Sequence, residues 1–128
     1  MGYRAPCFSI DNRLIEELIK IGYEYDSSAI NFSTHPLYGG IDLGSFYKKM
    51  DNVYQLRSLT EFELPTIKLL GGNIPISGGG YLRIFPWLLM KKLISNFLKN
   101  NQTYFLYIHP FELSKKTTPK IDNVSFLK

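Results

Sequence analysis

One stretch constrains the fold of this chain more than any other: a helix-period run that passes within a few residues into an apolar, strand-like run ending at His109-Pro110. Leu89, Met90, Leu93, Ile94, Phe97 and Leu98 recur at helical spacing opposite Lys91, Lys92, Ser95, Asn96 and Lys99, and Pro86 suits the first turn. Asn100-Asn101 ends the helix. The run Thr103-Tyr104-Phe105-Leu106-Tyr107-Ile108 then reads as a strand apolar on both faces, as parallel strands are, and Pro110 stops it because proline has no N–H for a ladder. A helix that delivers directly into such a strand is one step of an alternating β and α chain, which predicts a parallel sheet with covering helices.

The rest of the chain fits that alternation. Residues 3–8 read as extended, since Arg4-Ala5 precedes Pro6. Asp11 or Asn12 caps a first helix whose stripe is Leu14, Ile15, Leu18 and Ile19, with Arg13, Glu16, Glu17 and Lys20 on its wet face and Gly22 as its stop. Tyr23-Glu24-Tyr25-Asp26-Ser27-Ser28 reads as a strand with a polar exit. A long loop is expected from Asn31 to Asn52, with His35-Pro36 and Tyr38-Gly39-Gly40 inside it. Two extended segments, Glu61-Phe62-Glu63-Leu64-Pro65 and Asn73-Ile74-Pro75-Ile76, flank a Gly71-Gly72 turn, and Ser77-Gly78-Gly79-Gly80-Tyr81 reads as a glycine loop.

With 128 residues the chain suits one domain, and 45% hydrophobic residues suffice for a core. The net charge of +4 sits mostly in residues 114–128, where Lys115, Lys116, Lys120 and Lys128 face only Asp122. Residues 1–113 therefore lack the basic footprint of a nucleic-acid binder, and 114–128 read as a basic, flexible tail. The single cysteine, Cys7, excludes an internal disulfide. The opening residues show no basic stretch followed by an apolar one, so no secretory leader is expected, and no apolar run approaches a membrane span of roughly 20 residues.

Three residues stand out chemically. His109 falls at the exit of a parallel strand, the edge on which α/β folds build sites; a general acid or base and a histidine held by a backbone carbonyl both fit there. Arg4, on a segment stiffened by Pro6, suits two parallel hydrogen bonds to a carboxylate, or plain solvation. Asp26 suits pairing with a histidine or arginine, or a turn with Ser27 and Ser28. The three glycines match neither phosphate-binding fingerprint, and His35 has no second ligand at metal spacing.

Four stretches together, Gly2-Tyr3-Arg4-Ala5-Pro6-Cys7-Phe8-Ser9, Gly22 to Ser28, Ser77 to Pro86 and Tyr107-Ile108-His109-Pro110-Phe111-Glu112-Leu113, resemble the NodB-homology polysaccharide deacetylases, family four carbohydrate esterases, in the branch found in bacterial exopolysaccharide clusters. The resemblance implies an α/β fold, a partial (β/α) barrel lacking its N-terminal strands, with residues 1–113 as the C-terminal portion of the domain. It implies metal-dependent hydrolysis of N-acetyl groups on an N-acetylated polysaccharide or oligosaccharide, a carbon–nitrogen hydrolase using zinc or another divalent metal. His109 matches the acid that protonates the leaving amine, Arg4 the arginine that orients the catalytic aspartate, and Asp26 the aspartate that tunes the histidine. Tyr3, Pro6, Phe8, Tyr25 and Tyr81 would line the substrate groove, with Leu106 and Ile108 walling the acetyl pocket.

The chain departs from that pattern in one respect. It holds no Asp-Asp pair and no His-x-x-x-His, so the base and the metal ligands of the resemblance are absent. The expectation is the C-terminal half of such an enzyme, inactive alone, whether a gene fragment, a truncated form or one half of a split enzyme that assembles with a separate N-terminal chain, in the bacterial cytoplasm or cell envelope. The alternative is a non-catalytic module that binds carbohydrate or docks a partner. Neither nucleic acid nor a membrane span belongs to either reading.

Overall fold

The computed structural model describes residues 1–32, 38–69 and 71–114. His35 and all but the first residue of the basic tail lie outside the described residues. Gly2–Tyr3 (β1) is followed by the helix Asn12–Lys20 (α1) and by Tyr25–Asp26 (β2), Tyr47–Met50 (β3), Val53–Leu56 (β4) and Leu59–Phe62 (β5). The five strands form one open sheet in the order β1-β2-β5-β4-β3. The first three run parallel, with Gly2 opposite Tyr25 and Asp26 opposite Glu61, while β5, β4 and β3 are joined antiparallel. Thr66–Leu69 (β6) and Gly72–Pro75 (β7) make a separate antiparallel hairpin, followed by Gly79–Ile84 (α2) and Trp87–Asn100 (α3).

The architecture is therefore mixed α/β, and the expected all-parallel sheet is corrected in two places. Residues 47–62 form a three-stranded antiparallel meander where a long loop and one extended segment were expected. Its β3 is exposed at all four positions, Tyr47-Lys48-Lys49-Met50, so it carries no alternation to betray it. The β4–β5 turn places Arg57 at φ +51°, a left-handed conformation more usual for glycine or asparagine. The second correction concerns residues 103–108. They meet the sheet through one parallel bridge, Tyr107 to Gly78, closed by Tyr107 N–H to the Ser77 carbonyl at 2.9 Å and Gly79 N–H to the Tyr107 carbonyl at 3.1 Å. Gly78 lies past the end of β7 and caps α2, so the backbone turns helical there and the bridge is not extended; Leu106 and Ile108 remain 48% and 41% exposed.

The helices follow their sequence signals. The Asp11 carboxylate accepts from the Leu14 N–H at 2.8 Å, capping α1, and Gly22 leaves it at φ +86°. Ile15 and Leu18 drop from α1 onto the sheet, where they share a core with Ala5, Ile10, Phe46 and Leu59. A smaller core holds Ile76 beneath Met90 and Phe97 of α3. Only part of the predicted α3 stripe is used, since Leu89 and Leu98 stay exposed. The glycine run is no loop: Gly78 caps α2, and Gly79 and Gly80 open it.

Candidate functional site

Because β1, β2 and β5 run parallel, the residues that follow each strand gather on one edge of the sheet. Arg4 follows β1. Its Nε donates to the Ser27 carbonyl at 2.9 Å and its Nη2 to Ser27 Oγ at 2.8 Å, while Ser27 Oγ donates to the Phe62 carbonyl at 2.9 Å. The guanidinium is thus clamped across the ends of all three strands by two of its five donors, and its Cζ lies 5.6 Å from the centre of the Tyr107 ring. Among the described residues the clamp is the Ser27 carbonyl and hydroxyl, with no carboxylate in it. The turn after Arg4 is tight, with Cys7 and Phe8 both at positive φ, of 52° and 53°.

His109 sits beyond Tyr107 on the same edge and is exposed. Its ring stacks on Phe111 at 5.3 Å and 7° and meets the Tyr107 ring at 6.0 Å, edge to face. Its backbone is held by Glu112: the His109 N–H donates to Oε2 at 2.7 Å and the Glu112 N–H donates back to the His109 carbonyl at 2.9 Å. Glu112 Oε1 in turn pairs with Arg83 Nη2 of α2 at 2.9 Å, and the carboxylate is only 6% exposed. This brace needs the glycines. A Cβ on Gly79 would lie 2.1 Å from Glu112 Oε2, and one on Gly78 2.6 Å from the Tyr107 hydroxyl.

Aromatic rings continue the edge. Phe8 packs on Tyr107 at 5.1 Å and Tyr38 at 5.3 Å, and Phe32 packs on Tyr38 and Tyr81 at 5.9 and 6.1 Å. Burial pushes the Tyr107 hydroxyl up to about 12 and Tyr81 higher still, so both stay protonated as hydrogen-bond donors. Beside Phe32 and Tyr38 a cavity of about 540 Å³ opens, with Asn31 and Glu63 in its wall. Of the other predicted groove residues, Pro6 is exposed in the turn after Arg4. Tyr3 packs on Tyr23 against the α1 core, and Tyr25 packs on Phe62.

Asp26 stands apart from His109. Its carboxylate is fully buried and accepts from Ser28 Oγ at 2.9 Å and Ser28 N–H at 3.1 Å, while Ser28 Oγ also accepts from Ala5 N–H at 2.8 Å. Across the register lies Glu61, equally buried. Its Oε1 accepts from Ser28 and Ala29 N–H at 3.0 and 2.8 Å, but no donor faces its Oε2 among the described residues. Burial, with the Asp26 charge beside it, pushes the Glu61 carboxyl up to about 8, so it keeps its proton at neutral pH and hydrogen-bonds Asp26. Asp26 thus ties β1 to β2 and β5.

Sequence reasoning missed Glu61 and Glu112. For Glu61 the signal was a carboxylate two residues after Leu59, on the buried face of a strand; for Glu112 it was an acidic residue three positions after a helix-start residue followed by proline. Among the described residues no group of three His, Cys, Asp or Glu side chains is placed to hold a metal ion, and no helix is long and apolar enough to cross a membrane.

Residues 27–128 match the sequence profile of a domain family described as a domain of unknown function, DUF3473. No curated protein and no solved structure matches the chain.

Proposed function

The chain belongs to the DUF3473 family, and from that premise we propose that it supplies the arginine and histidine wall of a polysaccharide deacetylase site, within a barrel of the (β/α) type that other strands would complete. The observation that carries this reading is that Arg4 and His109 both meet the Tyr107 ring, the guanidinium over its face and the imidazole edge to face, where the parallel strands end.

Amide hydrolysis needs a proton at the leaving nitrogen as the carbon–nitrogen bond breaks. His109 is suited to supply it. The Glu112 brace fixes its backbone, the Phe111 stack fixes its ring, and its exposure leaves an approach for substrate. Arg4 has spent two donors on Ser27 and keeps others for a carboxylate, which in this reading is the base held by a complementary segment. Phe32, Tyr38 and Tyr81 offer aromatic rings to the sugar. In this reading the metal and its ligands belong to that complementary segment, and no step is drawn through it.

The test is acetate release from N-acetylated oligosaccharides in the presence of zinc, with the chain alone and mixed with a segment carrying Asp-Asp and His-x-x-x-His motifs. The expected result is no turnover alone and turnover when mixed, with His109→Ala lowering kcat by about 100-fold or more and KM little changed. Full activity of the His109→Ala mixture overturns the assignment. A binding-only role is favoured instead if the aromatic edge binds oligosaccharide but no mixture releases acetate.

A further inference from the structure

Charge is divided along the chain more sharply than its total shows. Residues 64–111 contain Lys68, Arg83, Lys91, Lys92 and Lys99 and not one carboxylate, whereas residues 1–63 contain nine acids and six bases. Arg83 is spent on Glu112. Lys91, Lys92 and Lys99 all lie on α3, are exposed, and pair with no carboxylate among the described residues. With Met90 and Phe97 turned into the smaller core, the helical period sets Leu88, Lys92 and Lys99 on the opposite, outward face, with Trp87, Lys91 and Leu98 along one flank of it.

The apolar members of that face are displayed to water. Leu88 is 81% exposed, Trp87 61% and Leu98 50%, and Ile84, which ends α2 just before the Pro86 joint, is 74% exposed. Each forgoes the gain of leaving water, so a surface that takes them up is favoured by it. The surroundings of the patch decide what that surface is. Protein interfaces are depleted of lysine, and a nucleic acid would use the lysines but leave Ile84 and Leu88 without a partner. A bilayer with anionic headgroups takes both, since lipid phosphates meet the ammonium groups and the acyl boundary meets the leucine and the indole. At 14 residues α3 is too short to span such a bilayer, so it would lie on it.

We propose that the outward face of α3 docks this chain onto the surface of a membrane containing anionic lipids. Trp87 and Leu88 enter the headgroup boundary at the start of the helix, while Lys91, Lys92 and Lys99 meet lipid phosphates along it. Met90 and Phe97 hold the helix to the protein from below, so it docks already folded and loses no chain entropy in doing so. The inference stands apart from the deacetylase reading, since it uses neither Arg4 nor His109.

Trp87 is the chain's one tryptophan, so its fluorescence reports on this patch alone. The full chain is mixed with vesicles of phosphatidylcholine and with vesicles of phosphatidylcholine and phosphatidylglycerol, and binding is read by co-sedimentation and by Trp87 emission. The expected result is at least about tenfold tighter binding to the anionic vesicles, weakened by salt, with a blue shift of Trp87 and its quenching by brominated lipid. Leu88→Ser, at an exposed position, should weaken binding by roughly tenfold with thermal stability unchanged, and Lys91→Gln with Lys92→Gln should weaken it by roughly 30-fold. Binding that leaves Trp87 unshifted and ignores Leu88→Ser belongs to the lysines of residues 114–128 and overturns the inference. So do equal affinity for the two vesicles, a Trp87 shift that follows protein concentration without lipid, as a second copy would give, and tighter binding to an oligonucleotide than to the anionic vesicles. None of these outcomes bears on acetate release, which keeps its own assay.

Discussion

The sheet with α1 encloses Ala5, Ile10, Ile15, Leu18, Phe46 and Leu59, whereas the β6–β7 hairpin with α3 encloses only Ile76, Met90 and Phe97. The first region buries its carboxylates as well, Asp26 and Glu61 being fully inaccessible. The second leaves Ile84, Trp87 and Leu88 between 61% and 81% exposed. Stability and function are divided accordingly. Arg4 is anchored by the well-packed region and His109 by the thin one, so the two walls of the proposed site differ in how far they can move.

The largest effects test that division directly. Ile15→Ala removes a fully buried side chain from the larger core and should cost about 4 kcal/mol in urea unfolding. Met90→Ala removes an equally buried one, but from a core of three residues near the surface that can collapse inward, and should cost about 2 kcal/mol. Hydrogen exchange should then show the Met90 variant opening residues 76–109 while β1, β2 and β5 stay protected. Equal costs with uniform exchange would mean one cooperative core, and the contrast between the two regions would be gone.

The well-packed region was also the more legible one at its helix and the less legible one at its sheet. Asp11 and Gly22 bracket α1 in the sequence as they do in the structure, because caps are local. The meander escaped notice because Tyr47-Lys48-Lys49-Met50 lies on a sheet edge with nothing to bury. Residues 103–108 misled in the opposite sense: an apolar run needs a partner strand to become one, and whether an extended segment lies alongside it is a tertiary fact. Arg4 and His109 were readable as motif residues, yet what holds them, Ser27 and the Glu112–Arg83–Gly79 brace, was not.

A mid-sized effect of opposite sign is expected from the buried acid pair. Glu61 has its carboxyl raised from an ordinary 4.5 to about 8, so the folded protein holds a proton there that the unfolded chain has released. Stability must therefore fall as pH rises from about 4.5 to about 8, and level off above that. Glu61→Gln keeps the acceptor for the Ser28 and Ala29 N–H groups and replaces the titrating proton by a permanent donor to Asp26. The variant should lose this decline and be more stable than the parent by roughly 2 kcal/mol near pH 9. A parent profile flat between pH 5 and 8, as read in about half-unit steps, would place the proton elsewhere.

The smallest effect on overall stability should bear most closely on His109. Gly79→Ala sets a Cβ 2.1 Å from Glu112 Oε2, so the carboxylate must leave, and its bonds to the His109 N–H and Arg83 go with it. Alanine is the better helix former at the start of α2, which offsets part of that loss, and the net cost should be about 1 kcal/mol. The local consequence is larger: amide exchange at His109 and Glu112 should accelerate by about tenfold while β1 and β2 are unaffected. A cycle with Glu112→Ala isolates the cause. In that background the carboxylate is already gone, so Gly79→Ala should become neutral or stabilising, and simple additivity of the two changes would show that the glycine serves α2 itself and not the presentation of His109.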